Sequence, residues 1–169
     1  MTTTVELIPH LDAGDRARWT GVQNARPLTG LGRRQAAALS DAIAAAGPVD
    51  ALYSSPAVRC TQSLEPLAER FRLQITTLPD LIEKMFGEDR PTLAARAYTA
   101  LHQIREAHPD ARVAACSHGD LIPALAHHLT IDHGAPTAQQ LTARGQWYTI
   151  RFHPNAIDIA LNEIGPVSS

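Results

Sequence analysis

The chain has 169 residues, of which 44% are hydrophobic and 19% charged, and its formal net charge is −2. This length suits one ordinary domain with a single core, and the composition excludes a disordered chain. The charge gives no whole-molecule attraction for nucleic acid or an anionic membrane, so any phosphate binding must come from a local cluster of positive groups. No apolar run approaches the roughly 20 residues needed to span a bilayer, and Met1-Thr2-Thr3-Thr4 lacks the basic and apolar character of a signal peptide. Two cysteines, Cys60 and Cys116, make no disulfide framework, and a reducing cytoplasm is the expected location.

In chain order, Val5–Ile8 reads as a first strand closed by Pro9, and a polar segment follows to Pro27 with Gly14, Gly21 and Asn24 as loop residues. Thr29 is an N-cap for an alanine-rich helix that Gly47-Pro48 stops. Ala51–Tyr53 is a second short strand. Ser55 then caps a helix with Pro56 at its first position, and Leu64, Leu67, Ala68 and Phe71 form its apolar face. Leu73–Leu78 is strand-like, a loop runs from Pro79 to Pro91, and a helix covers Thr92–Ala107. Val113–Cys116 is a buried strand that leads through Ser117-His118-Gly119-Asp120 into an apolar helix ending at Leu129. Trp147–Phe152 and Ala156–Leu161 alternate about Pro154-Asn155 and form a hairpin. Strands alternating with helices predict an α/β fold, a three-layer sandwich with a mostly parallel, mixed sheet, as one domain over residues 1–169.

In such sheets, sites collect where strands end and helices begin. His10, Arg59 and His118 lie at or just beyond strand ends, and Glu83 lies on the loop after the third strand. An imidazole attacks phosphorus, a guanidinium and a second imidazole neutralise the phosphoryl oxygens, and a carboxylic acid protonates the leaving group. These four residues therefore form a candidate phosphoryl-transfer set.

Four segments, in order along nearly the whole chain, resemble those of the histidine phosphatase superfamily. They are Arg26-Pro-Leu-Thr-Gly-Leu-Gly-Arg-Arg-Gln-Ala36, Leu52-Tyr-Ser-Ser-Pro-Ala-Val-Arg-Cys-Thr-Gln62, Leu81-Ile-Glu83 and Cys116-Ser-His-Gly119. Within the superfamily, the Trp19-Thr20-Gly21 loop and the Arg-Pro-Leu-Thr region resemble the phosphatase domains fused to Nudix hydrolases in actinobacteria. The chain's length resembles that of stand-alone phosphohistidine phosphatases. The resemblance implies a phosphoglycerate mutase-like fold with His10 as nucleophile, Arg59 and His118 as phosphate ligands, and Glu83 as proton donor. It also implies backbone contact to substrate from Thr20 and Gly21. The expected substrate is a small phosphomonoester or a phosphoprotein, with no cofactor, no metal, no nucleic-acid partner and no membrane partner. No carboxylate cluster suits Mg²⁺.

The nucleophile segment departs from the family's Arg-His-Gly, reading Pro9-His10-Leu11. Proline has neither the charge nor the backbone N–H of the arginine that contacts phosphate. Leucine is expected to add bulk beside the approach. Losing a charged partner of this kind costs about 2–5 kcal/mol. A catalytically degenerate or repurposed member that binds a phosphorylated or carboxylated ligand is therefore the alternative reading. Arg16, Arg18 and Arg26 offer replacement charge but read first as a solvated loop. Glu83, crowded by Lys84, Glu88, Asp89 and Arg90, also reads as a solvated carboxylate. His127, His128 and His133 fit no metal-ligand spacing and are assigned to surface and helix end.

Overall fold

The computed structural model describes residues 1–168. In chain order it contains β1 (Thr3–Pro9), α1 (Gly30–Ala45), β2 (Ala51–Ser54), α2 (Val58–Phe71), β3 (Ile75–Thr77), α3 (Arg90–Ala107), β4 (Arg112–Ser117), α4 (Leu121–His133), β5 (Gln146–Phe152) and β6 (Ile157–Glu163). One six-stranded sheet takes them in the order β3-β2-β4-β1-β5-β6. β3, β2, β4 and β1 run parallel, β5 lies antiparallel to β1, and β6 pairs antiparallel with β5. The mixed α/β sandwich and its terminal hairpin are as expected.

Successive strand residues face opposite sides of a sheet, and β1 and β4 bury both. Val5, Leu7, Val113 and Ala115 pack with Leu93, Leu101, Leu121 and Leu125 of α3 and α4. Ile8, Ala114 and Cys116 pack with Leu39, Ile43, Leu64 and Leu67 of α1 and α2. Burial on both faces is why the inner strands read as short continuous apolar runs. Between β1 and β5 a buried carboxylate is fully engaged: Glu6 accepts from Arg112 Nε at 3.0 Å, Trp147 Nε1 at 2.9 Å and Thr149 Oγ1.

Capping sets the helix ends. The Thr29 hydroxyl accepts from Gly32 N at 3.1 Å, as expected of an N-cap. α2 begins at Val58, later than the Ser55-Pro56 signal implies. The Ser55 hydroxyl does accept from Ala57 N at 3.3 Å, but Ser55 is also tied to the sheet edge: its N donates to Cys116 O at 2.9 Å and its hydroxyl meets His118 Nε2 at 2.8 Å. α3 starts at Arg90 because Asp89 caps it, accepting from Thr92 N at 2.8 Å. α4 runs past Leu129 to His133, where Gly134 turns left-handed at φ 70°. Among the described residues no helix is long and apolar enough to cross a membrane.

Candidate active site

The parallel strands all end at one edge of the sheet. Pro9 of β1 sits opposite Ser117 of β4, and His10 N donates to Ser117 O at 3.0 Å. The backbone thus sets His10 and His118 side by side, and their rings meet edge to face with centroids 5.5 Å apart. His10 is buried, with Nδ1 2.8 Å from Leu11 O. A carbonyl only accepts, so Nδ1 carries the proton and Nε2 presents a lone pair. Burial and the positive charge of Arg144 hold the His10 pKa down at about 3; the Leu11 bond opposes them, and His118 and Arg59 lower it further.

Arg59, in the first turn of α2, is fully buried. Its Nη1 donates to Gln23 O at 2.8 Å, and Nη2 lies 3.3 Å from His118 Nδ1 and 3.2 Å from Glu83 Oε1. Nε is buried without a partner, so the guanidinium has a donor to spare. Because guanidinium only donates, His118 Nδ1 accepts, and Nε2–H is donated to Ser55 Oγ. Cys60 and Cys116 lie beneath the site, both free and buried.

Glu83 is brought into this group and is not a surface carboxylate. Oε1 faces Arg59, and Oε2 accepts from Arg16 Nη1 at 2.7 Å. Burial pushes its pKa up, but the Arg16 hydrogen bond and the charge of Arg59 outweigh this and hold it below the ordinary value. Its backbone is fixed from α3: Arg96 donates to the carbonyls of Asp80, Ile82 and Glu83 at 2.7, 2.9 and 3.2 Å.

Two expectations for the surrounding residues are corrected. Leu11 adds no bulk to the site. It is fully buried in the core beneath α1 and α2, and its N donates to Ser63 Oγ at 3.0 Å. Replacing it with glycine would remove a core leucine, a class of change that costs about 2–5 kcal/mol even when alanine remains. Nor are Arg16 and Arg26 simply solvated: Arg16 holds Glu83, and buried Arg26 donates to Ala13 O at 2.8 Å and Gly14 O at 3.2 Å. Arg18 is exposed, as expected. Thr20 and Gly21 are exposed, and among the described residues no hydrogen bond or ion pair joins them to His10, Arg59 or His118.

Sequence reasoning missed Arg144, whose Nη1 donates to His10 O at 2.9 Å. The signal was topological. A hairpin strand antiparallel to β1 must start at the edge where β1 ends, so the residues just before it reach that edge. Far from the site, Tyr98 stacks on His133 with centroids 4.2 Å apart, and His128 pairs with Asp132 at 2.8 Å. Among the described residues no group of three or more His, Cys, Asp or Glu side chains is placed to hold a metal ion.

The model of the histidine phosphatase superfamily (branch 1) matches residues 13–92 and 84–164. An 8-oxo-(d)GTP phosphatase of Mycolicibacterium smegmatis is 36% identical over 124 residues, covering 73% of this chain and 36% of that protein. The chain therefore spans about a third of that relative's length. Among solved structures, a mycobacterial glucosyl-3-phosphoglycerate phosphatase with inorganic phosphate shares the fold at TM-score 0.74 and 20% identity, covering 98% and 99% of the two chains. A phosphoglycerate mutase of Bacillus anthracis does so at TM-score 0.74 and 15% identity, covering 98% and 92%.

Proposed function

The chain belongs to the histidine phosphatase superfamily, branch 1, and we propose that it is a phosphatase working through a phosphohistidine on His10. One observation carries this reading. The Leu11 carbonyl fixes the His10 tautomer so that Nε2, kept unprotonated by burial and neighbouring positive charge, is free for attack. Nε2 bonds to phosphorus as the bond to the leaving oxygen breaks. Arg59 steadies the phosphoryl oxygens, joined by His118 once phosphate draws the Arg59 donor away and Nδ1 takes up a proton from solvent. Water then hydrolyses the P–N bond, releasing phosphate and restoring His10. Positioning and electrostatic stabilisation supply most of the catalysis in such transfers.

Glu83 is the proposed donor to the leaving oxygen, although the two arginines hold it ionised before substrate arrives. A phosphate that takes over the Arg59 donor removes one of the carboxylate's positive partners and adds a negative neighbour. Both changes raise its affinity for a proton. Binding thus arms the acid.

For substrate, the Mycolicibacterium smegmatis relative favours phosphates derived from nucleotides, and the fold neighbours add small organic phosphomonoesters. A second reading, a binding protein without turnover, rests on Pro9, which leaves the residue before the nucleophile uncharged. The deciding experiment is phosphate release from a panel of nucleotides and sugar phosphates without added metal. Wild type should turn over at least one of them and His10→Ala none. A panel with no turnover by wild type favours the binding reading.

A further inference from the structure

Arg144 is the one charged group hydrogen-bonded to the His10 backbone among the described residues, and the chemistry above uses only its charge, giving it no contact with the phosphoryl group. Its loop is held firmly. Gln146 Oε1 accepts from Thr142 N at 2.7 Å and Ala143 N at 3.1 Å, and Ile164 N donates to Gly145 O at 3.0 Å. Gly145 itself needs to be glycine: φ is +90°, and a Cβ there would lie 2.6 Å from Ile164 Cγ1. The β1–β5 register pairs Leu7 with Tyr148, and its continuation places Gly145 opposite His10. Arg144 therefore enters the site from the antiparallel side of the sheet, whereas Arg59 enters from α2. Among the described residues its Nε and Nη2 have no hydrogen-bond partner. Pro9, on the same strand end, offers neither charge nor N–H.

We propose that Arg144 is a phosphate-binding residue of this site: Nη1 holds the His10 carbonyl while Nε and Nη2 hold phosphoryl oxygens beside the nucleophile. It is the guanidinium that position 9 lacks, delivered from the loop that leads into β5. The fork geometry of arginine suits both tasks, since its donors diverge in one plane. The same charge favours the unprotonated form of the His10 ring, so one residue both binds the anion and keeps the nucleophile competent. This inference rests on the phosphatase reading above.

The test is binding of inorganic phosphate to wild type, Arg144→Gln, Arg144→Lys and Arg59→Ala, read by calorimetry, with His10 followed by NMR through a pH titration. Glutamine keeps an amide donor for the His10 carbonyl but carries no charge, which separates the proposal from a folding role. Arg144→Gln is expected to lose about ten- to a hundredfold in phosphate affinity, and its His10 should titrate at higher pH than in wild type. Arg144→Lys should retain part of the affinity. A Pro9→Arg/Arg144→Gln double variant should recover binding. A folded Arg144→Gln that binds phosphate as wild type does, while Arg59→Ala does not, overturns the role of Arg144 and leaves the phosphatase reading standing. If wild type neither binds phosphate nor releases it from any monoester, the phosphatase reading falls and this proposal falls with it.

Discussion

His10 couples the site's chemistry to the protein's stability. Its pKa is about 3 in the folded chain, against an ordinary 6.5, so the unfolded state binds a proton that the folded state refuses. Stability from this residue is fully present above pH 6.5 and is lost as the pH falls from there toward 3, at up to about 1.4 kcal/mol per pH unit. The carboxylates held low, Glu83 among them, lose their contributions only in a lower range, through and below the usual carboxylate pKa. Between pH 6.5 and 5 the His10 contribution therefore stands apart from theirs. Urea unfolding of wild type and His10→Gln across that interval should show a falling free energy for wild type and a flatter one for the variant. Parallel slopes would mean that the imidazole is not held unprotonated. Leu11 shows how position and role separate at this scale. Comparison with the family's glycine identifies the place, but only the fold reveals that the side chain turns into the core beneath α1.

At the scale of elements, the sheet is secured by a charge as well as by apolar packing. Glu6 on β1 is nearly fully buried and leans on Arg112 of β4 and Trp147 and Thr149 of β5. Arg112→Ala would leave that carboxylate short of its cation, and breaking one side of a buried pair costs about 3–5 kcal/mol. A Glu6→Gln/Arg112→Ala double variant should be less damaged than Arg112→Ala alone, as read by thermal unfolding. Equal damage would show that Arg112 acts mainly through the Ile43 and Gly47 carbonyls it also holds. The elements themselves were largely legible. β1 and β4 announce themselves because both faces are apolar, and Thr29 and Gly47-Pro48 bracket α1. The start of α2 was not legible, because Ser55 is also tied to Cys116 O and to His118, 63 residues away, and the chain stays extended through Ala57 before the helix begins at Val58. Of the candidate site, His10, Arg59, Glu83 and His118 were readable from strand ends and motifs together. Arg144 was not, since nothing in its own neighbourhood marks it; the direction of β5 places it. The clamp on Glu83 was equally hidden, because Arg16 lies 67 residues earlier and reads locally as an exposed loop arginine.

For the whole molecule, the arrangement of the sheet gathers the candidate groups at one edge. Parallel β1, β2 and β4 deliver His10, Ser55 and His118 there, α2 adds Arg59, the loop after β3 adds Glu83, and the antiparallel β5 returns Arg144 to the same place. All of these come from this one chain, although it spans only 36% of the length of its Mycolicibacterium smegmatis relative. The central claim is that a covalent phosphoryl group passes through His10. Rapid quenching of the protein during turnover, followed by peptide mapping under alkaline conditions that preserve phosphohistidine, tests this most directly. The account predicts an acid-labile phosphoryl group on the peptide containing His10, formed as fast as product and absent from His10→Ala. Turnover that persists in His10→Ala, or a phosphoryl group found on another residue, would contradict it.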